Sequence, residues 1–316
     1  MIKGIISNPI SQFVLGIIGI LIIGPLPYLI FDIDHLLEIQ ALLDSGRLRN
    51  TLFLYQPMAI QPEKYVTTIL GFGKEIIHLL DWTYISDRGG ERPLFPIYQD
   101  VYVKTLKYLF LTFSISFSIS ILFTYFIMMM NERLKKGVKF FFFVIESLPD
   151  LFAIIGLQLF VMWFFKKTNI LLFNPVSTFG DEAFLLPLLV LSFLPTIYMT
   201  RYLLLTFEEE YQSLYVELAR GKGLTKTGIL FRHIFRNAFA SFVYHFKTIF
   251  WFTLSNLLII EIALNVNGLL RFVWVNCARN PELLTLGLLS IFVPFFIVLT
   301  LLRVLVTKYS LKGVAE

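Results

Sequence analysis

Long apolar stretches alternate with short polar connections along this chain. Six stretches of about 20 residues or more carry few charges. They cover residues 10–31, 108–130, 140–165, 183–205, 239–262 and 283–302. Because about 20 helical residues cross the roughly 30 Å hydrocarbon core of a bilayer, the pattern predicts six transmembrane helices. The expected fold class is an all-α integral membrane protein.

Three of these stretches contain features that affect the helix prediction. The stretch at 140–165 is interrupted near its start by Glu146, Pro149 and Asp150. The stretch at 10–31 is longer than a signal-peptide core and lacks a small-residue cleavage site, so we interpret it as a retained span. Serines alternate in the stretch at 108–130, a period typical of strands, but the length and the absence of charge favour a helix. On a helix they form two i,i+4 pairs suited to close helix packing, namely Ser114 with Ser118 and Ser116 with Ser120.

The composition supports a membrane protein and excludes several other classes. Hydrophobic residues make up 57% of the 316 residues and charged residues 16%, whereas a soluble domain carries about 25% charged residues. The net charge of +5 comes from short basic blocks between apolar stretches, which is typical of the positive-inside rule and not of nucleic-acid binding. A single cysteine, Cys277, and four scattered histidines predict no disulfide, metal site or cofactor.

The basic residues also predict the orientation. They concentrate between spans two and three, between spans four and five, and in the tail, so both termini should be cytoplasmic. The segment 32–101 then lies outside and is long enough to form a small external subdomain, which either shields helix ends or docks a partner. Three parts are expected: 1–31 with the first helix, 32–101 outside, and 102–316 with five helices and a cytoplasmic loop at 207–237.

The loop between spans four and five predicts a short amphipathic helix at 207–224. Its apolar stripe has the spacing i, i+3, i+4, i+7 and consists of Tyr211, Leu214, Tyr215 and Leu218. Acidic residues 208–210 at its start and Arg220 and Lys222 near its end suit the helix dipole. Gly221 and Gly223 are natural stops. Such a helix either rests on the lipid surface or docks into a groove of a soluble partner.

The same loop carries a family resemblance. Glu217-Leu218-Ala219, followed by Gly223, resembles the E-A-A-x-x-x-G loop of permeases of ATP-binding-cassette (ABC) importers. Residues 215–224 and 232–238 are similar to Y-V-x-x-A-R-A-K-G-L and R-H-x-x-R-N-A of the dipeptide/oligopeptide/nickel permease branch. Residues 260–271 resemble its V-E-x-x-F-x-x-P-G-L-G-x segment, and Ser147-Leu148-Pro149 with the long external segment resemble the first of its two permease subunits.

The sequence also departs from that branch. Gly221 stands where Ala is usual, Asn267 where Pro is usual and Leu270 where a second Gly is usual, and the I-x-L-P ending of the general loop is absent. These departures leave the role of the loop intact and weaken the inference of the solute class.

The resemblance implies a permease subunit of an ATP-driven importer of peptides or related small solutes in a bacterial cytoplasmic membrane. It implies four kinds of partner: a second homologous permease, two ATP-binding-cassette ATPase subunits, an extracytoplasmic solute-binding protein and membrane lipid. The residues expected to couple the chain to the ATPase are Tyr211, Leu214, Tyr215, Glu217, Leu218, Ala219, Arg220, Lys222 and Gly223. The chain has no G-x-x-x-x-G-K-[ST] phosphate loop, so hydrolysis is expected on partners and not on this chain.

Charged residues inside spans are candidates for the solute path, because a charge at mid-bilayer must face protein, water or an interface. His245 and Lys247 lie about two turns into span five, where they either line the path or make packing contacts. Glu146, Asp150 and Glu261 lie nearer to span ends, where an interfacial position explains them equally well.

Two other classes of protein are alternatives to the importer. A proton-coupled secondary transporter remains an alternative, although no internal repeat supports the inverted-repeat architecture. A membrane-embedded enzyme would need a nucleophile with its base, or a metal set, and the sequence contains neither H-E-x-x-H nor G-x-S-x-G. The sequence does not identify the solute.

Overall fold

A computed structural model describes residues 8–47, 60–75, 78, 81–86, 90–147, 150–170, 172–174, 176–177, 182–277 and 279–312. The helices in this part of the chain are α1 Pro9–Ile23, α2 Leu26–Ile30, α3 Ile33–Asp44, α4 Pro62–Glu75, α5 Ile97–Met129, α6 Glu132–Glu146, α7 Asp150–Thr168, α8 Leu185–Tyr211, α9 Leu214–Gly221, α10 Lys226–Gly228, α11 Phe235–Ala263, α12 Leu269–Asn276 and α13 Glu282–Lys312. A π-helical segment, Ile229–Ile234, joins α10 to α11. Strands β1 Thr83–Ile85 and β2 Glu91–Pro93 pair antiparallel.

Four described helical stretches are long and apolar enough to cross a membrane. They are Ile97–Met129, Leu185–Tyr211, Lys226–Ala263 and Glu282–Lys308. These stretches match the second, fourth, fifth and sixth predicted spans. The structure thus agrees with an all-α, multi-pass membrane protein, while the count of six spans remains a prediction.

The other two predicted spans are interrupted in the structure. The stretch at 10–31 divides into α1 and α2 at Gly24 and Pro25, and the 15 residues of α1 extend only about 22 Å. Pro25 has no N–H with which to continue the hydrogen-bond ladder of α1. The stretch at 140–165 divides between α6 and α7, and the predicted motif residues Leu148 and Pro149 lie outside the described residues. A single continuous helix over 10–31 was therefore a wrong expectation, whereas the stretch at 140–165 divides near the interruption expected there.

One compact unit consists of residues 1–103 and 268–298. Phe13 of α1 packs against Phe292 and Phe296 of α13, with ring centroids 6.0 and 5.2 Å apart. The hairpin of β1 and β2 is fixed by Asn280, whose side chain accepts from the Ile85 N–H and donates to the Ile85 carbonyl at 2.8 Å each. Part of the predicted external segment, including 48–59, lies outside the described residues, so its role as a subdomain remains a prediction.

A proline inside α13 is compensated by α5 within this unit. Pro294 has no N–H to give to the carbonyl of Ser290, four residues earlier. The hydroxyl of Tyr102 donates to that carbonyl at 3.1 Å, and the hydroxyl of Tyr98 lies 2.6 Å from the Ser290 hydroxyl. A neighbouring helix thus pairs the carbonyl that the proline leaves open, as the bilayer interior requires.

The second compact unit consists of residues 104–267 and 299–316. Within it, α5 presents small polar side chains to α8: Ser116 donates to the Ser192 carbonyl at 3.0 Å and Thr124 to the Thr200 carbonyl at 3.4 Å. Ser116 and Ser120 are fully buried, as the packing prediction requires. The prediction is wrong for Ser114 and Ser118, which are exposed and bond to carbonyls of their own helix. The serine spacing predicted two faces of α5 but not which of them packs against another helix.

The prolines of α8 occupy two different positions. Pro187 lies in the first turn of the helix, where no intrahelical partner for its nitrogen is needed. The Ala183 carbonyl just before this turn accepts from the Tyr108 hydroxyl at 3.2 Å. Pro195 lies in the helix interior and is buried.

Candidate functional site

The predicted helix at 207–224 is two helices in the structure. α8 continues to Tyr211, and α9 begins at Leu214 after a turn in which Ser213 is extended at ψ 152°. The Ser213 hydroxyl donates to the Glu210 carbonyl at 2.6 Å, a side-chain bond that competes with continuation of the helix. Tyr211 therefore does not share a helix with Leu214. The acidic residues 208–210 lie at the end of α8 and not at the start of α9.

α9 has two distinct faces. Val216 and Ala219 point inward and are almost fully buried, whereas Leu214 and Leu218 are 83% and 63% exposed. The predicted apolar stripe is thus divided, because Tyr211 and Tyr215 are half-buried while the two leucines face outward. Glu217 lies on the outward face with the leucines. The inward residues belong to a buried cluster that also contains Ile127, Met128, Phe142, Ile197, Leu204, Phe207, Ile229, Leu230, Ile234 and Ala238.

The C-terminal end of α9 is a Schellman motif centred on Gly223. The N–H of Leu224 bonds to the Ala219 carbonyl at 3.2 Å and the N–H of Gly223 to the Arg220 carbonyl at 2.9 Å. Gly223 has φ +79°, in the left-handed region, where a side chain costs about 1–2 kcal/mol. The prediction that Gly223 ends the helix agrees with this geometry, while Gly221 is the last residue of the helix itself.

This difference between two neighbouring glycines gives a paired prediction. Gly223→Ala should lower the stability of the loop between α8 and α11 by about 1 kcal/mol, because it forces a side chain into the left-handed region. Gly221→Ala is the matched control, since its site is helical and open and Ala favours helix by about 1 kcal/mol over Gly. Hydrogen exchange at residues 214–224 should be faster in the first variant and unchanged or slower in the second. Equal protection in both variants would contradict the role given to Gly223.

The two cations near the end of α9 occupy different environments. The guanidinium of Arg220 lies 4.2 Å from the ring centroid of Tyr211 and donates to the Tyr211 carbonyl at 3.4 Å. Arg220 thus places a positive charge at the carbonyl end of α8, which the helix dipole favours. Lys222 caps α9 and is exposed.

Glu210 connects α9 to two other helices. Its Oε2 accepts from the Tyr215 hydroxyl at 2.6 Å and from the Asn237 amide at 3.2 Å. Burial raises the pKa of Tyr215 to about 12, and the bond to Glu210 adds to the rise. Tyr215 therefore stays a hydroxyl donor at physiological pH. This carboxylate joins the end of α8, the start of α9 and the start of α11 in one hydrogen-bonded group.

Glu208 makes a second connection, between α8 and α6. One of its oxygens lies 2.7 Å from Lys135 Nζ and the other pairs with Lys139. The Lys135 and Glu208 side chains are only 10% and 20% exposed. The start of α6 and the end of α8 are thus held together by a largely buried charge cluster.

His245 and Lys247, the candidates for the solute path, lie on α11 with exposed side chains. The Tyr202 hydroxyl lies 2.7 Å from His245 Nδ1, and Tyr202 also donates to the Ser241 carbonyl at 3.2 Å. His245 is therefore attached to α8. Its part in a solute path remains a prediction, as does that of Lys247.

Sequence reasoning missed Arg201. It lies on α8 within a predicted span, pairs with Glu146 of α6, and lines a cleft of about 610 Å³ between these two helices. The signal was present, because Arg201 is the only charge in the stretch 183–205. An ionisable residue inside a span is by default a candidate for function.

The fold is that of a multi-pass membrane protein. Over residues 111–315 the chain matches the family described as the binding-protein-dependent transport system inner membrane component. The match covers well over half of the chain, which therefore belongs to this family. No curated protein gave a match to the chain.

Family membership establishes several points at a coarse level. The chain is an inner-membrane permease component of an ABC transport system, and the family implies a solute-binding protein and ATPase partners. The family is one of transporter components and not of catalytic enzymes. The dipeptide/oligopeptide/nickel branch, the second permease and the direction of transport remain predictions.

Proposed function

We propose that the chain is the permease subunit of an ATP-driven importer for peptides or related small solutes, and that α9 is the helix through which the ATPase moves it. In this proposal both termini and α9 are cytoplasmic. A second homologous permease completes the path across a bacterial cytoplasmic membrane, two ATPase subunits drive it, and an external solute-binding protein delivers the solute. The observation that carries the proposal is that α9 exposes two leucines on its outward face while its inward face is buried within the chain.

The outward face has the character of a docking surface. Leu214 and Leu218 are exposed one helical turn apart, with Glu217 between them. An amphipathic helix that inserts such anchors into a groove of a soluble partner is a recurrent mode of recognition. The inward face, built on Val216 and Ala219, belongs to the buried cluster of the permease itself. Displacement of α9 by a partner would therefore move α6, α8 and α11 with it.

A helix resting on lipid fits these residues less well. Interfacial helices carry Lys or Arg on their polar face and a broad apolar face. The outward side of α9 combines two leucines with an acidic residue, and anionic lipid would repel Glu217. Arg220 is turned back onto Tyr211. The exposed chemistry therefore favours a protein groove over the membrane surface.

The proposal is tested with the complete transporter in proteoliposomes. ATP supplied to the ATPase side should drive uptake of labelled peptide in the presence of the solute-binding protein, and collapse of the proton gradient by an ionophore should change the rate by less than about twofold. A matched sample lacking the ATPase subunits should show no uptake. Uptake that follows an imposed pH gradient without ATP would instead support the proton-coupled transporter.

A further inference from the structure

The cleft between α6 and α8 is crossed by two ion pairs. Lys139 of α6 pairs with Glu208 of α8, and Glu146 of α6 pairs with Arg201 of α8. In each helix the two charged residues are seven positions apart, which is about 10 Å along the axis. In both helices the cation comes first and the carboxylate follows it, so antiparallel packing forms both pairs in one register.

The two pairs differ in burial and in depth. Glu208 is largely buried and is also held by Lys135, so this pair keeps α6 on α8. Arg201 lies seven residues before Glu208 in α8, about 10 Å farther from the end of the helix. Its side chain and that of Glu146 remain accessible. The deeper pair is therefore open to exchange partners with a ligand.

The remaining lining of the cleft is mostly aromatic. The Arg201 guanidinium lies 5.6 Å from the ring centroid of Phe143. The other uncharged lining residues are Phe140, Phe142, Tyr198, Tyr202, Leu204 and Leu205. A volume of about 610 Å³ falls within the roughly 300–1,000 Å³ of small-molecule sites, which are typically apolar with a few convergent polar groups. Aromatic walls can pack against the apolar side chains of a ligand. Their ring faces also form cation–π contacts with Arg201.

We propose that this cleft is a site on the solute path that binds the zwitterionic ends of a short peptide, the carboxylate at Arg201 and the ammonium group at Glu146. The inference rests on the proposed importer function and specifies its solute class. When the Glu146–Arg201 pair opens, the peptide ammonium group replaces Arg201 as the partner of Glu146. The peptide carboxylate replaces Glu146 as the partner of Arg201. Exchange therefore leaves neither charge uncompensated, which is the main cost of opening an ion pair inside a membrane protein.

The test uses two peptides that the solute-binding protein binds equally, one with a free and one with an amidated carboxyl terminus. ATP-driven uptake is measured in proteoliposomes of the complete transporter. Arg201→Gln should lower uptake of the free peptide at least about tenfold and of the amide less than about twofold, since only the free carboxylate loses a charge-assisted contact. Arg201→Lys, which keeps the charge, should retain most of the uptake of both peptides.

The matched control is Glu182→Gln, which removes a carboxylate from the 2.6 Å pair with Lys104, outside the cleft. It should change the uptake of neither peptide more than about twofold, whereas Glu146→Gln should slow a peptide with a free amino terminus more than its acetylated form. Equal losses for the free and blocked peptides would mean that the Glu146–Arg201 pair only holds the helices together, and would overturn the proposal.

A zwitterionic lipid headgroup shares the chemistry of a peptide. Uptake is therefore also measured in vesicles of phosphatidylglycerol and cardiolipin, which contain no ammonium group. Persistence of the discrimination in these vesicles supports a peptide as the occupant, and its disappearance assigns the cleft to lipid and overturns the proposal. A wild-type transporter that imports no peptide with ATP would contradict the importer function itself, a result distinct from equal losses in the variants.

Discussion

Replacement of Leu214 and Leu218 together by Asp is expected to abolish ATP-driven uptake while leaving the permease folded. Both side chains are mostly exposed, so the chain loses no internal packing. A fully buried Leu contributes about 1.5–3 kcal/mol, and every 1.4 kcal/mol is about tenfold in affinity. Losing both leucines and introducing two charges should weaken binding of the ATPase subunits more than about 100-fold. Co-purification of the ATPase and uptake in proteoliposomes measure this effect.

The matched control for that variant is Leu134→Asp. Leu134 is also an exposed leucine, in the first turn of α6 and outside α9. This variant should bind the ATPase and transport within about twofold of wild type. Normal co-purification and uptake in the Leu214/Leu218 double variant, with size-exclusion profiles unchanged, would contradict docking and favour a helix that rests on lipid.

The second large effect is expected for Glu208→Ala. This change leaves Lys135, only 10% exposed, without its 2.7 Å carboxylate partner. Removing one member of a largely buried ion pair typically costs about 3–5 kcal/mol. Lys135 would keep only Glu132, an 81% exposed carboxylate 3.9 Å away. A marked fall in the melting temperature of the detergent-solubilised protein, with a lower yield of folded permease, is the expected result.

The neighbouring residue provides the control for this stability prediction. Glu209 is exposed on the same turn of α8, so Glu209→Ala should change the melting temperature little. Adding Lys135→Met to a Glu208→Leu variant should recover most of the loss, because apolar residues of similar volume can replace a buried pair. If Glu208→Ala melts like Glu209→Ala, the pair with Lys135 does not hold α6 on α8.

The apolar pattern was sufficient to locate the four long membrane helices, because length and hydropathy are properties of the sequence itself. The pattern did not predict where local chemistry ends a helix inside an apolar stretch, as at Pro25. At Ser213 a side-chain bond to a backbone carbonyl ends α8. The helical spacing of apolar residues continues across such a helix break. Tyr211 was therefore wrongly assigned to the same helix as Leu214.

The faces of α9 could not be predicted for a different reason. Leu214 and Leu218 are more apolar than Ala219, yet they are the exposed residues. Periodicity defines a face, and only tertiary packing decides whether it meets the chain itself or a partner. The same applies to Arg201 and Glu146, which are 55 positions apart and meet because α6 and α8 pack antiparallel. Gly223 was predictable, since its role is local.

Pro294 and Tyr102 are coupled through one acceptor, the Ser290 carbonyl. An Ala at position 294 would restore an N–H that competes with the Tyr102 hydroxyl for this carbonyl. Whichever donor lost the acceptor would be left unpaired, which costs about as much as the hydrogen bond gained. Residues on two different helices must therefore change together before a regular hydrogen-bond ladder at Ser290 becomes the lower-energy form.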